Sequence, residues 1–229
     1  MSRFAMAALA ILIGLPLPLC AQPNDPGHTI ARWRAANATC RDPAAPALEA
    51  VGACEQRDRY SKLLTLMNHC YGPFPGSNEP AWTPCDPARM AQAMALARTT
   101  ARFQRHNGVL VLPASLNVNT EAFFVVDSGA SKVQLPQEVV DELRRKGTLS
   151  QDDFLRENTF VVADGRKVAQ KVIRLRSIGI GDRSMENILA TVGAPHSQAL
   201  LGQSLLQRLN WWKIDNIRNA LELEFATPP

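Results

Sequence analysis

A chain of 229 residues is long enough for one large domain or two small ones. Its hydrophobic share of 46% and charged share of 20% are those of an ordinary globular protein and exclude wholesale disorder. The net charge is +4, yet residues 106–229 hold fourteen basic and fourteen acidic groups. No clustered basic stripe of the kind that binds nucleic acid occurs, so no nucleic-acid partner is expected.

The chain opens with Arg3 and an apolar run over residues 5–19, broken by Pro16 and Pro18 and followed by Leu19-Cys20-Ala21. That is the anatomy of a cleaved export signal over residues 1–21, giving a mature chain that begins near Gln22. A bilayer span needs about 20 apolar residues, so no stable membrane span is expected after cleavage. Export to the periplasm or medium is the expectation.

Residues 22–105 are expected to form a helical, disulfide-containing unit. Helical spacing predicts one helix over residues 29–39, a longer one over 51–70, and a third over 87–103. Between the last two lies a segment dense in proline and glycine, read as a loop. Four cysteines, Cys40, Cys54, Cys70 and Cys85, lie in this unit, and none follows it. An even set in an exported chain suggests two disulfides. No C-x-x-C pair occurs, so no metal site is expected. Cys54 and Cys70 on one helix would stand about 24 Å apart, far beyond the roughly 6 Å that a disulfide spans. An antiparallel helix pair favours Cys40–Cys54, which leaves Cys70–Cys85. The basic segment 98–106 reads as an exposed linker that maturation could cut.

Residues 106–229 change texture. Apolar or alternating runs predict strands over residues 109–118 and 121–126, with a turn at Asn119. A short helix follows over 136–146. Strands over 159–162 and 167–172 flank Asp164-Gly165, a strong two-residue hairpin signal. Further strands are expected over 172–180, 188–192, 211–214 and 220–225, with a second short helix over 203–209. The fold expectation is an α+β multidomain chain, a disulfide-linked helical unit followed by a small all-β barrel with two short helices.

The chemical signal is Phe123-Phe124-Val125-Val126-Asp127-Ser128-Gly129-Ala130. An apolar strand delivers a carboxylate to the point where core meets turn. Ser128 can brace the loop, and Gly129 permits a tight turn or a close backbone approach. Some seventy residues later, Leu200-Leu201-Gly202 offers two apolar residues and a glycine that can pass behind that loop. Other constellations are weak. The four histidines are scattered, no H-E-x-x-H occurs, and Gly202-Gln203-Ser204 lacks the second glycine of a nucleophile elbow. Asp215 reads as a turn residue, with a non-equivalent second acid left open. Trp211 and Trp212 read as core and dimer surface.

Together the two segments resemble the retropepsin-like aspartic proteases, the bacterial exported members above all, over about residues 108–226. The resemblance implies an acid-protease-like barrel and an aspartic endopeptidase without cofactor or metal. In it, Asp127 from each chain of a homodimer shares one proton, activates water and hydrolyses a peptide or protein substrate. It further implies that Ser128, Gly129 and Gly202 support the catalytic loop, and that Ala163, Asp164 and Gly165 form the tip of a flap. The alternative is a catalytically inactive peptide-binding or dimerisation module of the cell envelope, since fold alone does not prove activity.

Overall fold

The computed structural model of the chain describes residues 25–74, 77–161 and 165–226. The expected export signal lies outside the described residues, as do Ala163 and Asp164 of the expected flap tip. No helix among the described residues is long and apolar enough to cross a membrane.

Two helices open the fold, α1 (Pro26–Arg41) and α2 (Ala47–Leu66). The carboxylate of Asp25 accepts hydrogen bonds from the amides of Gly27 and His28, and Pro26 sits in the first turn. Both devices favour a helix start. The helices pack as a hairpin, with Trp33 donating from Nε1 to the hydroxyl of Ser61 at 2.8 Å. The Cys40–Cys54 disulfide ties the end of α1 to α2.

The α2 helix stops at Leu66, earlier than expected, and Asn68 turns the chain with φ 58°. The proline-rich segment is not a loop. It forms an antiparallel hairpin, β1 (His69–Phe74) with β2 (Ser77–Pro84), whose base is closed by Cys70–Cys85. Tyr71 and Trp82 from this hairpin stack around Trp33 at ring separations of 4.9 to 5.8 Å. That aromatic cluster and Leu64 make a small core separate from the main one. The cysteine pairing matches the sequence expectation, although Cys70 lies on a strand rather than on the long helix.

The third helix, α3 (Pro87–Ala97), also ends early, because the chain switches to a strand, β3 (Arg98–Arg102). Thr99 and Ala101 turn inward while Arg98, Thr100 and Arg102 face out, the period-two pattern of a sheet. The hydroxyl of Thr99 donates to Asp182 at 2.5 Å. Residues 98–106 are thus not a loose linker: β3 pairs along its length with β14 (Ala220–Phe225), and β4 (Gln104–His106) pairs with β5 (Val109–Leu116).

A closed six-stranded barrel with a few helices follows. From β5 the ring runs through β6 (Thr120–Val126), β12 (Ala199–Leu201), β7 (Val133–Leu135), β11 (Arg183–Val192) and β10 (Val172–Ile180). Pairing of β10 with β5 shuts it. Its interior is apolar, with Leu112, Phe124, Leu135, Ile173, Ile188 and Leu201 among the fully buried side chains. Outside the ring lie α4 (Gln137–Arg145), a short 3₁₀ turn (Gln151–Asp153), the hairpin β8 (Asn158–Val161) with β9 (Lys167–Gln170), α5 (Gln203–Leu206), and β13 (Leu209–Asp215) beside β14.

Two polar networks hold the layers in place. Asp153, with no exposed surface, receives Arg174 from Nε at 2.8 Å, Arg176 at 3.0 Å, and both the amide and hydroxyl of Ser150 at 2.9 Å. Burial pushes its carboxyl up, but these donors prevail and hold it below the ordinary range. The second network joins the helical hairpin to the barrel. Asp58 accepts from Arg57 at 3.1 Å and from Arg208 at 2.6 Å, and Arg57 reaches Glu186 at 2.7 Å. Asn187 donates to the Cys40 carbonyl at 2.9 Å. Burial works against the charge of Arg57, yet Asp58 and Glu186 raise its pKa further. Buried charges demand such pairing, and loss of one partner is far costlier than the pair is stabilising.

Candidate active site

Strand β6 does not run fully buried into Asp127. It alternates, with Phe124 inside and Phe123 68% exposed. That alternation brings Asp127 out at the barrel rim, half-buried, with Ser128 and Gly129 exposed after it. The carboxylate is fixed locally, because its Oδ1 accepts the Gly129 amide at 2.8 Å. The Ala130 amide returns to the Asp127 carbonyl at 3.3 Å and closes the turn.

The second sequence segment reaches the same place. Strand β12 lies parallel to β6, pairing Ala199 with Phe124, Leu200 with Val125 and Leu201 with Val126. It also meets β7, so residues 199–201 are wedged between the strands that enter and leave the loop. The Asp127 amide donates to the Leu201 carbonyl at 3.1 Å. Gly202 then passes so close that a Cβ there would lie 2.1 Å from the Lys132 carbonyl oxygen and 2.8 Å from that of Ala130. Only glycine fits without moving backbone.

Sequence reasoning missed Gln203. Its amide donates to the Ala130 carbonyl at 2.8 Å, and its side-chain Nε2 donates to the Ser128 carbonyl at 2.7 Å. The loop is thereby clamped at both shoulders. Ser204, which looked like a helix-start residue, bonds two strands: its hydroxyl donates to Leu189 at 2.7 Å and accepts the Val133 amide at 2.9 Å. No local motif announces either residue.

Asp127 opens on a cleft of about 470 Å³. Its walls include Lys132, Gln134 and Thr191 from the barrel and Phe160, Val161 and Gln170 from the β8–β9 hairpin. Gln170 is tied to Gln134 at 3.3 Å, which fixes one leg of that hairpin over the cleft. Gly165, at the far end, has φ 84°, a conformation that favours glycine. Among the described residues lining the cleft, Asp127 is the sole acid. Asp215 is elsewhere, capping a turn by accepting the amides of Ile217 and Arg218 at 2.9 and 3.0 Å. Those amides, Arg218's first, outweigh its desolvation and hold its carboxyl below the ordinary range. Trp212 packs on the main core, and Trp211 lies under Arg98 and Lys213.

A closed barrel that braces one Asp-Ser-Gly loop with a wedged strand is the design of a retropepsin-like aspartic protease. Residues 112–208 match the family model described as gag-polyprotein putative aspartyl protease, which supports the resemblance of this part of the chain to the retropepsin-like aspartic proteases. Among solved structures, a retropepsin-like aspartic protease from Rickettsia conorii is similar at 26% identity. The likeness covers 56% of this chain and 90% of that one, with a TM-score of 0.40. No curated protein matches the chain.

Proposed function

We propose that this chain is an exported aspartic endopeptidase that works as a homodimer, with Asp127 contributed by each copy. The observation that carries the reading is a single rigidly held carboxylate on a cleft roofed by a hairpin. Peptide hydrolysis by carboxylates needs two of them, one to take a proton from the attacking water and one to donate to the scissile carbonyl. A two-fold axis between two Asp127 loops supplies the second. Like charges in contact do not both ionise, so the pair holds one proton between them. That proton passes to the carbonyl oxygen while the other carboxylate takes one from the attacking water; as the C–N bond breaks, the water-derived proton goes to the departing amine and a diol hydroxyl returns a proton to the pair.

Ser128 and Gly129 shape the loop, and Gly202 lets its support approach. The β8–β9 hairpin, with Gly165 beyond β8, acts as the flap and excludes water once an extended peptide lies beneath it. Substrate joins as an added strand, so recognition is backbone first. Cleavage of the signal over residues 1–21 and the two disulfides fit an oxidising compartment outside the cytoplasm.

The test compares the chain beginning at Gln22 with its Asp127→Asn form. Each is offered denatured protein from mildly acidic to neutral pH, and the assembly state is measured by sedimentation. Cleavage by the first alone, at concentrations where it is dimeric, is expected. A well-folded dimer that cleaves nothing would instead favour a peptide-binding module.

A further inference from the structure

A second cleft adjoins the one at Asp127. Ser131 and Lys132, on the loop just after the Asp-Ser-Gly turn, also line this second cleft of about 570 Å³, whose far wall is α2. That wall belongs to the helical unit, which lies outside residues 112–208 of the family match. Glu55, Asp58, Arg59 and Lys62 recur at the spacing that puts side chains on one helix face. The two clefts therefore adjoin at Ser131 and Lys132, on the loop that carries Asp127.

The charge of the second cleft is lopsided. Arg59, Lys62, Lys132 and Arg208 contribute four cations against Glu55 and Asp58. Both oxygens of Asp58 are already engaged, by Arg57 and Arg208. Glu55 meets Arg59 only at 3.8 Å, with the arginine side chain 72% exposed. Lys132 makes no ion pair among the described residues. Arg208, 6% exposed, is spent on Asp58 and on the Glu186 and Asn187 carbonyls, and Lys62 bonds the Gln207 and Leu209 carbonyls, so Arg59 and Lys132 are the cations left to face a ligand. A surface of this kind offers its surplus positive charge to an anion laid along it.

We propose that α2 extends the peptide-binding cleft and selects substrates with an acidic segment on one side of the scissile bond. This rests on the peptidase reading and names the substrate class for the same site. An extended peptide leaving the Asp127 cleft past Lys132 enters the α2 cleft, where Asp or Glu side chains meet Arg59 and Lys132.

The experiment uses the full mature chain and three labelled peptides with one apolar Phe-Leu centre, flanked by Asp and Glu, by Lys, or by Ser. Wild type should favour the acidic flank over the basic one in kcat/KM by about tenfold at low salt, the scale of a few exposed ion pairs. Arg59→Glu should erase or invert that ratio, and Arg59→Lys should keep it. Anisotropy of the same peptides on Asp127→Asn, with and without Arg59→Glu, reads the cleft without chemistry. An acidic preference there, with no hydrolysis by wild type, would keep this inference while the peptidase reading fell. An unchanged ratio in Arg59→Glu, on a chain with wild-type unfolding behaviour, overturns the inference. So does a shift from dimer to monomer caused by Arg59→Glu, which would assign the cleft to a second copy of the chain.

Discussion

Gly202→Ala adds one methyl group where the chain has no room. Its carbon would sit 2.1 Å from the Lys132 carbonyl oxygen and 2.5 Å from the carbonyl carbon, against ordinary contacts of 3.4 Å or more. These neighbours are backbone, so no rotamer change relieves the overlap, and the two segments must separate by more than an ångström. Separation stretches the bonds from Gln203 to Ala130 and from Asp127 to Leu201. Two weakened hydrogen bonds at about 1 kcal/mol each, with about 1–3 kcal/mol of overpacking, give a loss of roughly 3–5 kcal/mol. Displacing a positioned carboxylate by about 1 Å costs on the order of a hundredfold in rate. Urea unfolding of the variant beside wild type measures the first quantity, and hydrolysis of denatured protein at matched folded fraction measures the second. A Gly202→Ala chain as stable and as active as wild type would show that the close passage behind the loop does not hold Asp127.

Two further substitutions test the scaffold. Asp153→Asn leaves Arg174 without its buried counter-charge and should cost about 3–5 kcal/mol, read as a lower urea midpoint. Because the folded carboxyl of Asp153 lies below its ordinary value, its contribution is complete above about pH 4. It is lost as pH falls through the folded value. Wild type should therefore lose stability more steeply than Asp153→Asn on acidification below that point, and parallel curves would contradict the assignment. Val118, 87% exposed, is a β-branched residue held at φ 77° in the β5–β6 turn. Val118→Asn should raise stability by about 1 kcal/mol, since asparagine tolerates this conformation, and thermal unfolding would register the gain.

Much of the site was legible because its signals are local. An apolar strand ending in Asp127-Ser128-Gly129, and Leu200-Leu201-Gly202 much later, each announce a backbone need that few residues meet. The cysteine pairing followed from the antiparallel helix pair, whereas the helix-rise exclusion of Cys54–Cys70 assumed a helical Cys70 that lies on β1 instead. What stayed hidden was decided at a distance. Arg98–Arg102 continues an Ala- and Met-rich helical run, and only the unpaired edge of β14 makes it a strand. The proline-rich hairpin gains its order from a disulfide and from stacking on Trp33, neither of which a local pattern reveals. Gln203 acts through two carbonyls on another segment, and the approach of α2 to Lys132 depends on a polar latch formed by Asp58, Arg208 and Glu186.

The wedge of β12 between β6 and β7 has a bearing on biosynthesis. Residues 199–201 must leave the ribosome and return to strands made some seventy residues earlier before the Asp127 turn has its supports. Closing so long a loop is slow relative to local helix formation. The α1–α2 hairpin can thus close while the Asp127 turn still lacks its supports, and a chain that ends before Leu201 lacks the carbonyl that accepts the Asp127 amide.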